Sequence, residues 1–502
     1  MDVARFVLGI DAGGTAVKAG VYGLNGEELG LASRVLRPIT PAPGHAERNP
    51  ELLWRSVCEV IRAVLADTAL VPSDIEAVGI TGYGNGIYLL DPSGQPLANG
   101  LLSSDVRAAR LVADWRSRGL EAEAIERVGK PFWPGSSLCV LGWFRQHHPD
   151  VLAAAAAAVP CKDYLRFRLV GRIAAETTDQ STASLLSNAS RERDSRVLSL
   201  VDLEDVERLM PELIEPLAIA GTVTRRAATE TGLSEGTPVS AGCCDNMAVM
   251  YGTGAVGAGE VVVMSGTWGL QQVILDHMPA AGRIGFVNHA AVRGQWLCFE
   301  GSPASASSFE WFVETFLRGH GVDEPAAAAY ELANTALAST APDGPPVFFL
   351  PFLNGAFDEI DARGSLVGLS TWHGLGHIVR AVYEGVAFEH RRHLERLLTV
   401  CERPESARFA GGPARSRAWS EIFAATLGLK LQVPSGAEFG ARGAAILAAA
   451  ACGMVPDVGA AARSMTSLSH VVEPSRHLQD ALDQRFTRYC ELHSALRAFW
   501  RA

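Results

Sequence analysis

The chain lacks any run of about twenty consecutive apolar residues, the length a helix needs to cross a bilayer, and its alanine run at 153–158 is far too short. Its start, MDVARFVLGID, has no basic segment, apolar core and small-residue cleavage site in the order of a secretory signal. The nine cysteines are odd in number, scattered, and never spaced CxxC. That argues against a disulfide framework or a zinc site and for free thiols in a reducing compartment, so the expected location is cytoplasmic. No Lys/Arg run exceeds a pair or triplet, and the formal charge is −11. A nucleic-acid binder needs a basic patch to neutralise phosphates, so neither nucleic acid nor a membrane surface is an expected partner.

What is present is the balance of an ordinary globular protein: 48% apolar and 20% charged residues over 502 positions. That length exceeds what one core usually supports, so at least two domains are expected. Two segments share a pattern. An apolar run at 6–10 breaks into Asp11-Ala12-Gly13-Gly14-Thr15 and resumes at 17–22. A second run at 261–264 breaks into Ser265-Gly266-Thr267-Trp268-Gly269 and resumes at 270–275. Each reads as strand, glycine-rich turn, strand, with backbone N–H groups and a Thr hydroxyl at the tip. The second begins about halfway along, which suggests a duplicated α/β domain. Helical spacing is expected at 52–65, 381–398 and 416–427, strands at 76–80, 87–90 and 408–410, and mostly helix from His470 onward.

A polyphosphate needs close backbone approach and N–H or hydroxyl donors, which DAGGTAVK (11–18) supplies through Gly13, Gly14, Thr15 and Lys18. A carboxylate at the preceding strand end, Asp11, suits hydrated Mg²⁺. An ordinary glycine turn explains the same residues, and neither of the two common nucleotide motifs is present. In AGCCDNMAVMYGTG (241–254), Asp245 stands at a strand-to-helix junction, where it can serve as a general base near an incoming hydroxyl or simply N-cap the helix that follows. Cys243 and Cys244 read as buried small hydrophobes. FAGGPARSRAW (409–419) places two glycines at a helix start, a surface on which an adenine can lie flat, and EFGARGAAILAAA (438–450) reads as a small-residue helix for close packing. His390 and His393 lie among Arg and Glu and read as solvated, and no histidine is assigned to a metal.

Taken in order, DAGGTAVK, GITGYGNGIYLLD, CKDYLRFRLVGRIAAETTDQSTAS, the Asp245 segment, SGTWG, FLPFLNG and GGPARSRAW resemble the FGGY carbohydrate kinases over nearly the whole chain. PAPGHAERN, NGIYLLD, NGLLSSDVRA and FLPFL are most similar to members acting on L-xylulose. The resemblance implies two ribonuclease-H-like domains of the actin-like superfamily with a catalytic cleft between them: 1–248 carrying the sugar site and first phosphate loop, and 249–502 binding ATP and ending in a helical extension. It implies ATP and Mg²⁺ as cofactors, Asp11 serving Mg²⁺ through water, and Asp245 as catalytic base. Gly13, Gly14, Thr15, Lys18, Gly266 and Thr267 would line the phosphate loops, and Gly411, Gly412, Arg415 and Ser416 would border the adenine and ribose. Asn85, Asp105, Asp245 and Asn246 would meet the sugar. Gly84-Asn85 stands where glycerol kinases carry Arg-Glu and D-xylulose kinases Met-His, which disfavours both substrates; the string at 243–246 also differs from the Phe-Asp-Val type of L-xylulose kinases. The expected activity is phosphorylation of a pentulose of L-xylulose type. The alternatives are a kinase for ribulose, erythritol or 3-keto-gulonate, or a non-catalytic ATP-binding member of the superfamily; a homodimer is compatible with the sequence.

Overall fold

A computed structural model describes residues 5–266, 268–318, 326–341, 344–353, 355 and 361–500. The chain forms two compact α/β units, one comprising Met1–Ala258, Ile274–Cys298 and Gly436–Ser467, the other Gly259–Val273, Phe299–Ser435 and Leu468–Ala502. Among the described residues no helix is long and apolar enough to cross a membrane.

In the first unit, strand Phe6–Ala12 pairs antiparallel with Ala16–Gly23 across the turn at 13–15 and parallel with Ile75–Gly82. Glu28–Val35 extends the sheet on one side, Pro238–Ser240 and Ile219–Thr222 on the other. The central strands are buried on both faces, and their apolar runs are near-continuous for that reason: Val7, Leu8, Ile10 and Ala12 are all fully buried. One face is covered by helix Pro50–Thr68. Its start is set by Asn49, whose side chain accepts the Leu52 N–H at 2.8 Å, and by Pro50 in the first turn. Leu53, Val57, Ile61 and Val64 then repeat at helical spacing into the core.

The other face is covered by helix Phe439–Ala451, contributed from far along the chain. Here no side chains separate the elements. A Cβ at Gly9 would collide with the Ala441 carbonyl, one at Gly79 with that of Ala444, and one at Gly443 with that of Ala248 in helix Asp245–Gly252. The small-residue sequence around 438–450 is thus used for backbone-to-backbone packing, as expected. This contact draws Gly436–Ser467 into the first unit, so a single boundary at 248/249 does not describe the partition.

In the second unit, strand Val261–Ser265 pairs antiparallel with Gly269–Leu275, from Val261↔Val273 to Ser265↔Gly269, and parallel with Ser406–Gly411. A hairpin plus one parallel neighbour thus recurs in each unit. Helix Leu375–Leu397 carries His390 and His393, which are 0% and 6% exposed. This corrects their reading as solvated: the polar partners are supplied by other segments, with Gln271 and Ser305 on His390 and Ser302 on His393. Burial, first of all, then lowers both imidazoles to about 3, keeping them neutral. His470 belongs to strand Leu468–Val472, and the expected helix starts later, as Arg476–Trp500.

The glycine contacts predict that Gly79→Ala, which forces a methyl against the Ala444 carbonyl, costs at least about 3 kcal/mol. Urea unfolding should show the midpoint falling with an unchanged slope.

Candidate active site

The turn after Phe6–Ala12 is shaped from behind by a residue that motif reading did not single out. Arg48, 2% exposed, donates to the Gly13 carbonyl at 2.9 Å and to the Gly14 and Leu36 carbonyls at 2.6 Å each. Because a trans peptide points its C=O and N–H in opposite directions, the N–H groups that follow these carbonyls face away from Arg48. The Thr15 carbonyl is likewise occupied, by Leu36 N–H at 2.8 Å. A Cβ at Gly14 would meet nothing within 4 Å, and Thr15 is exposed. The loop therefore presents open donors to one side.

Asp11 ends the strand and pairs across the hairpin with Lys18. Its Oδ1 is buried with no hydrogen-bond partner. Burial first of all pushes its carboxyl up to about 6, with Lys18 opposing and Glu438 adding to the rise. Lys18 forms an ion pair with Glu438 at 2.5 Å. Glu438 occupies the cap position of helix Phe439–Ala451 but makes no capping bond, which leaves its carboxylate for Lys18. Nothing local announces this role, because the two residues come from opposite ends of the chain.

Asp245 is the first residue of helix Asp245–Gly252; Cys244 holds the cap position, without a side-chain capping bond. The simple N-cap reading is therefore not what the chain adopts. The Asp245 Oδ1 accepts the Asn246 N–H at 2.8 Å, and the Gly84 N–H also donates to the carboxylate. Burial, then the negative charge of Asp11, push the Asp245 carboxyl up to about 7, against these amide donors. Its stem is held rigidly: Cys243 and Cys244 pair with Thr81 and Gly82, the Cys243 carbonyl accepts from Thr81 Oγ at 2.7 Å, and the Cys244 N–H donates to Thr178 Oγ at 2.9 Å. Behind that stem lies a fully buried ionic group. Lys162 sits 2.6 Å from Asp163 and 3.1 Å from Asp179, and Arg166 bonds Asp163 at 2.6 Å and the Ala241 carbonyl at 3.0 Å. Cys243 and Cys244 are buried free thiols, as expected.

Asn85 adopts the left-handed conformation, φ 62, and its Oδ1 is buried without a partner; strain of this kind in a non-glycine residue persists where surrounding structure imposes it. Asn246 is partly buried beside Asp245. Asp105 differs from the other sugar-site candidates. It is fully buried, with Oδ2 accepting Ala46 N–H at 2.7 Å and Oδ1 accepting the Arg107 N–H and Nε, both at 2.9 Å. Its oxygens are consumed in holding the segments around 46 and 107, so it stands as a supporting residue rather than one facing open space.

In the second unit, the Gly266 N–H donates to the Trp268 carbonyl at 3.0 Å, and a Cβ at Gly266 would meet only that oxygen within 4 Å, at 3.8 Å. Thr267 lies outside the described residues. Gly411 is opposite Ser265 in the sheet; with φ 108, and with a Cβ colliding with the Ser265 carbonyl, it must be glycine. Gly412 is open on its Cβ side but for Ala306 at 3.8 Å. Ser416 caps helix Arg417–Leu427, and Arg415 lines a cavity of about 540 Å³ with Arg417, Glu421 and His470. The sequence-predicted residues thus fall into two sets, Asp11, Gly13, Gly14, Thr15, Lys18, Asn85, Asp245 and Asn246 in one unit and Gly266, Gly411, Gly412, Arg415 and Ser416 in the other.

Comparison with known proteins bears on what such a pair of sets belongs to. The model for the FGGY family of carbohydrate kinases, N-terminal domain, matches residues 6–252, and that for the C-terminal domain matches 261–452. A protein of Pasteurella multocida named probable L-xylulose kinase is 31% identical, covering 98% of this chain and 99% of its own. The L-xylulose/3-keto-L-gulonate kinase of Escherichia coli is 30% identical, covering 99% and 98%. The crystal structure of xylulose kinase from Rhodospirillum rubrum superimposes with a TM-score of 0.89 at 25% identity, covering 99% and 100%. With both domain models matched in chain order and relatives aligned end to end, the chain belongs to the FGGY family of carbohydrate kinases.

Proposed function

We propose that this sugar kinase moves the γ-phosphoryl group of ATP onto a hydroxyl of a pentulose of L-xylulose type, with Asp245 as general base. The observation that carries the reading is the Asp245 carboxyl itself. It is fixed in direction by two backbone amides, and burial beside Asp11 poises it near 7. A base with a pKa close to the working pH combines a usable ionised fraction with driving force for taking the proton.

Phosphoryl transfer asks chiefly for positioning and charge stabilisation. Asp245 would accept the proton of the attacking hydroxyl, while Asn85, with its free Oδ1, and Asn246 would hold neighbouring hydroxyls. Asp105 would act from behind, keeping the 46 and 107 segments in place. The outward N–H groups after Gly13 and Gly14, with Thr15, would receive phosphate oxygens, and Lys18 would exchange Glu438 for a phosphate. Gly266 and Thr267 would serve the phosphates from the second unit, and Gly411, Gly412, Arg415 and Ser416 the adenine and ribose. The orphaned Oδ1 of Asp11 fits a hydrated Mg²⁺, which would supply positive charge for the phosphates when bound. ATP as phosphoryl donor implies the cytoplasm. One relative is named for 3-keto-L-gulonate as well as L-xylulose, so a keto-aldonate belongs in the same substrate panel.

Asp245→Asn should lower sugar-dependent ADP release about 10²- to 10⁴-fold while a fluorescent ATP analogue still binds; undiminished turnover in this variant would refute the assignment. In the wild type, kcat/KM for the sugar should fall about tenfold per pH unit on the acid side, because the base must be ionised. The inflection should lie at or below about 7, since a bound cation pulls the carboxyl down. Asp11→Asn should raise the Mg²⁺ concentration needed for half-maximal rate about 10- to 100-fold, read by titrating Mg²⁺ at saturating sugar.

A further inference from the structure

Of the 44 basic residues only four are lysines: Lys18, Lys130, Lys162 and Lys430. Three of them have a carboxylate partner. Lys18 pairs with Glu438 at 2.5 Å, Lys162 with Asp163 at 2.6 Å, and Lys430 with Glu473 at 3.0 Å. Lys130 is the exception: among the described residues no carboxylate lies within ion-pair distance of its ammonium. It is 4% exposed and donates to two neutral acceptors, the Ser181 carbonyl and Asn288 Oδ1. A buried ammonium without a counter-ion is costly, and the usual remedies are loss of the proton or arrival of an anion. Burial pushes its pKa down to about 7, opposed by the Cys244 thiol.

The location of this cation gives it meaning. Cys244 immediately precedes Asp245. Ser181 belongs to helix Thr177–Thr182, whose Thr178 hydroxyl accepts the Cys244 N–H and whose Thr182 methyl would lie 2.9 Å from a Cβ at Gly84. Gly84 in turn donates its N–H to Asp245. Lys130 therefore bonds the same helix that holds the Cys244 amide, and lies near enough to Cys244 to feel its charge. Gly129, φ 73, ends helix Glu121–Val128 and turns the chain just before Lys130. A tie between Ser181 and Asn288 alone calls for a neutral donor. An arginine, the cation this chain uses almost everywhere else, could not shed its proton while unpaired, whereas a lysine can hold the position neutral and become charged when an anion arrives.

Building on the kinase reading of Asp245, we propose that Lys130 determines substrate specificity by pairing with a carboxylate of the sugar, so that the site takes keto-sugar acids as well as uncharged ketoses. A charge-assisted N–H···O bond made in a buried site is directional and strong enough to select the acid from its uncharged counterpart.

The test compares kcat/KM for a six-carbon keto-aldonate and for L-xylulose in the wild type and in Lys130→Met, by coupled ADP release. The wild type should turn over both. Lys130→Met should lose about 10- to 100-fold on the keto-aldonate, the range for one hydrogen bond to a charged group, and stay within about threefold on L-xylulose. Equal losses on both sugars would make Lys130 a structural tie and overturn the proposal, as would an unchanged rate on the keto-aldonate. Wild-type turnover of L-xylulose without the keto-aldonate would also overturn it while leaving the kinase reading intact; turnover of neither sugar by ATP-binding protein would remove both. Should Lys130→Met not fold, Lys130→Gln keeps an amide donor for Ser181 and Asn288 without the charge and carries the same expectations.

Discussion

The first unit of this protein depends on one contact: the backbone of helix Phe439–Ala451 lying directly on the central strands and on helix Asp245–Gly252. Gly9, Gly79 and Gly443 make the approach physically allowed, since a side chain at any of them would strike a carbonyl. The same closeness acts at the helix start. A Cβ on Gly440 would collide with Asp11 Oδ2, so the strand carboxylate, the Glu438 that reaches Lys18, and the helix that begins with Asp245 are brought into one neighbourhood. Packing here is the means by which residues from both ends of the chain share a site.

That closeness has an electrostatic consequence. Asp11 is raised by burial and further by Glu438, and Asp245 by burial and further by Asp11. Crowded carboxylates of this sort lift one another's pKa, and the arrangement persists only if surrounding structure holds it. Two supports are visible. Arg48 spends its guanidinium on loop carbonyls rather than on a carboxylate, so it fixes the turn without quenching the acidic groups. Lys162 and Arg166, with Asp163, Glu176 and Asp179, form a buried ionic group that grips the Ala241 carbonyl and, through Thr178, the Cys244 amide. Such a group contributes little net stability, yet through these bonds it holds the strand end that precedes Asp245.

The parts of this arrangement that could be read in the sequence are the local ones. The two hairpins, the glycine turns between their strands and the position of Asp245 at a strand-to-helix junction follow from periodicity and turn chemistry within a dozen residues. Motif order then placed the chain in its family. The long-range partners were illegible. Glu438 reads as the edge of a packing helix, and nothing local marks Arg48 or Lys130, because their partners are set by sheet register and helix contact. Asp105, expected to meet the sugar, shows bonds the sequence does not announce: its oxygens accept from Ala46 and Arg107. The charged neighbours of His390 and His393 suggest solvent, yet both are buried. The helix is buried along most of its length and satisfies its polar residues through other segments.

The recurrence of a hairpin with one parallel neighbour in each unit accords with the ribonuclease-H-like fold of the family, yet the two turns are stabilised differently. In the first unit a buried arginine collects the carbonyls of the turn, leaving its amides free. In the second, a glycine at positive φ, Gly411, lets the neighbouring strand end press against the Ser265 carbonyl. An arginine can order a loop that stays open on its far side; a glycine contact joins two loops into one surface. A duplicated frame, specialised in this way, gives one unit a turn whose carbonyls are gathered by Arg48 and the other a joined pair of glycine-rich edges.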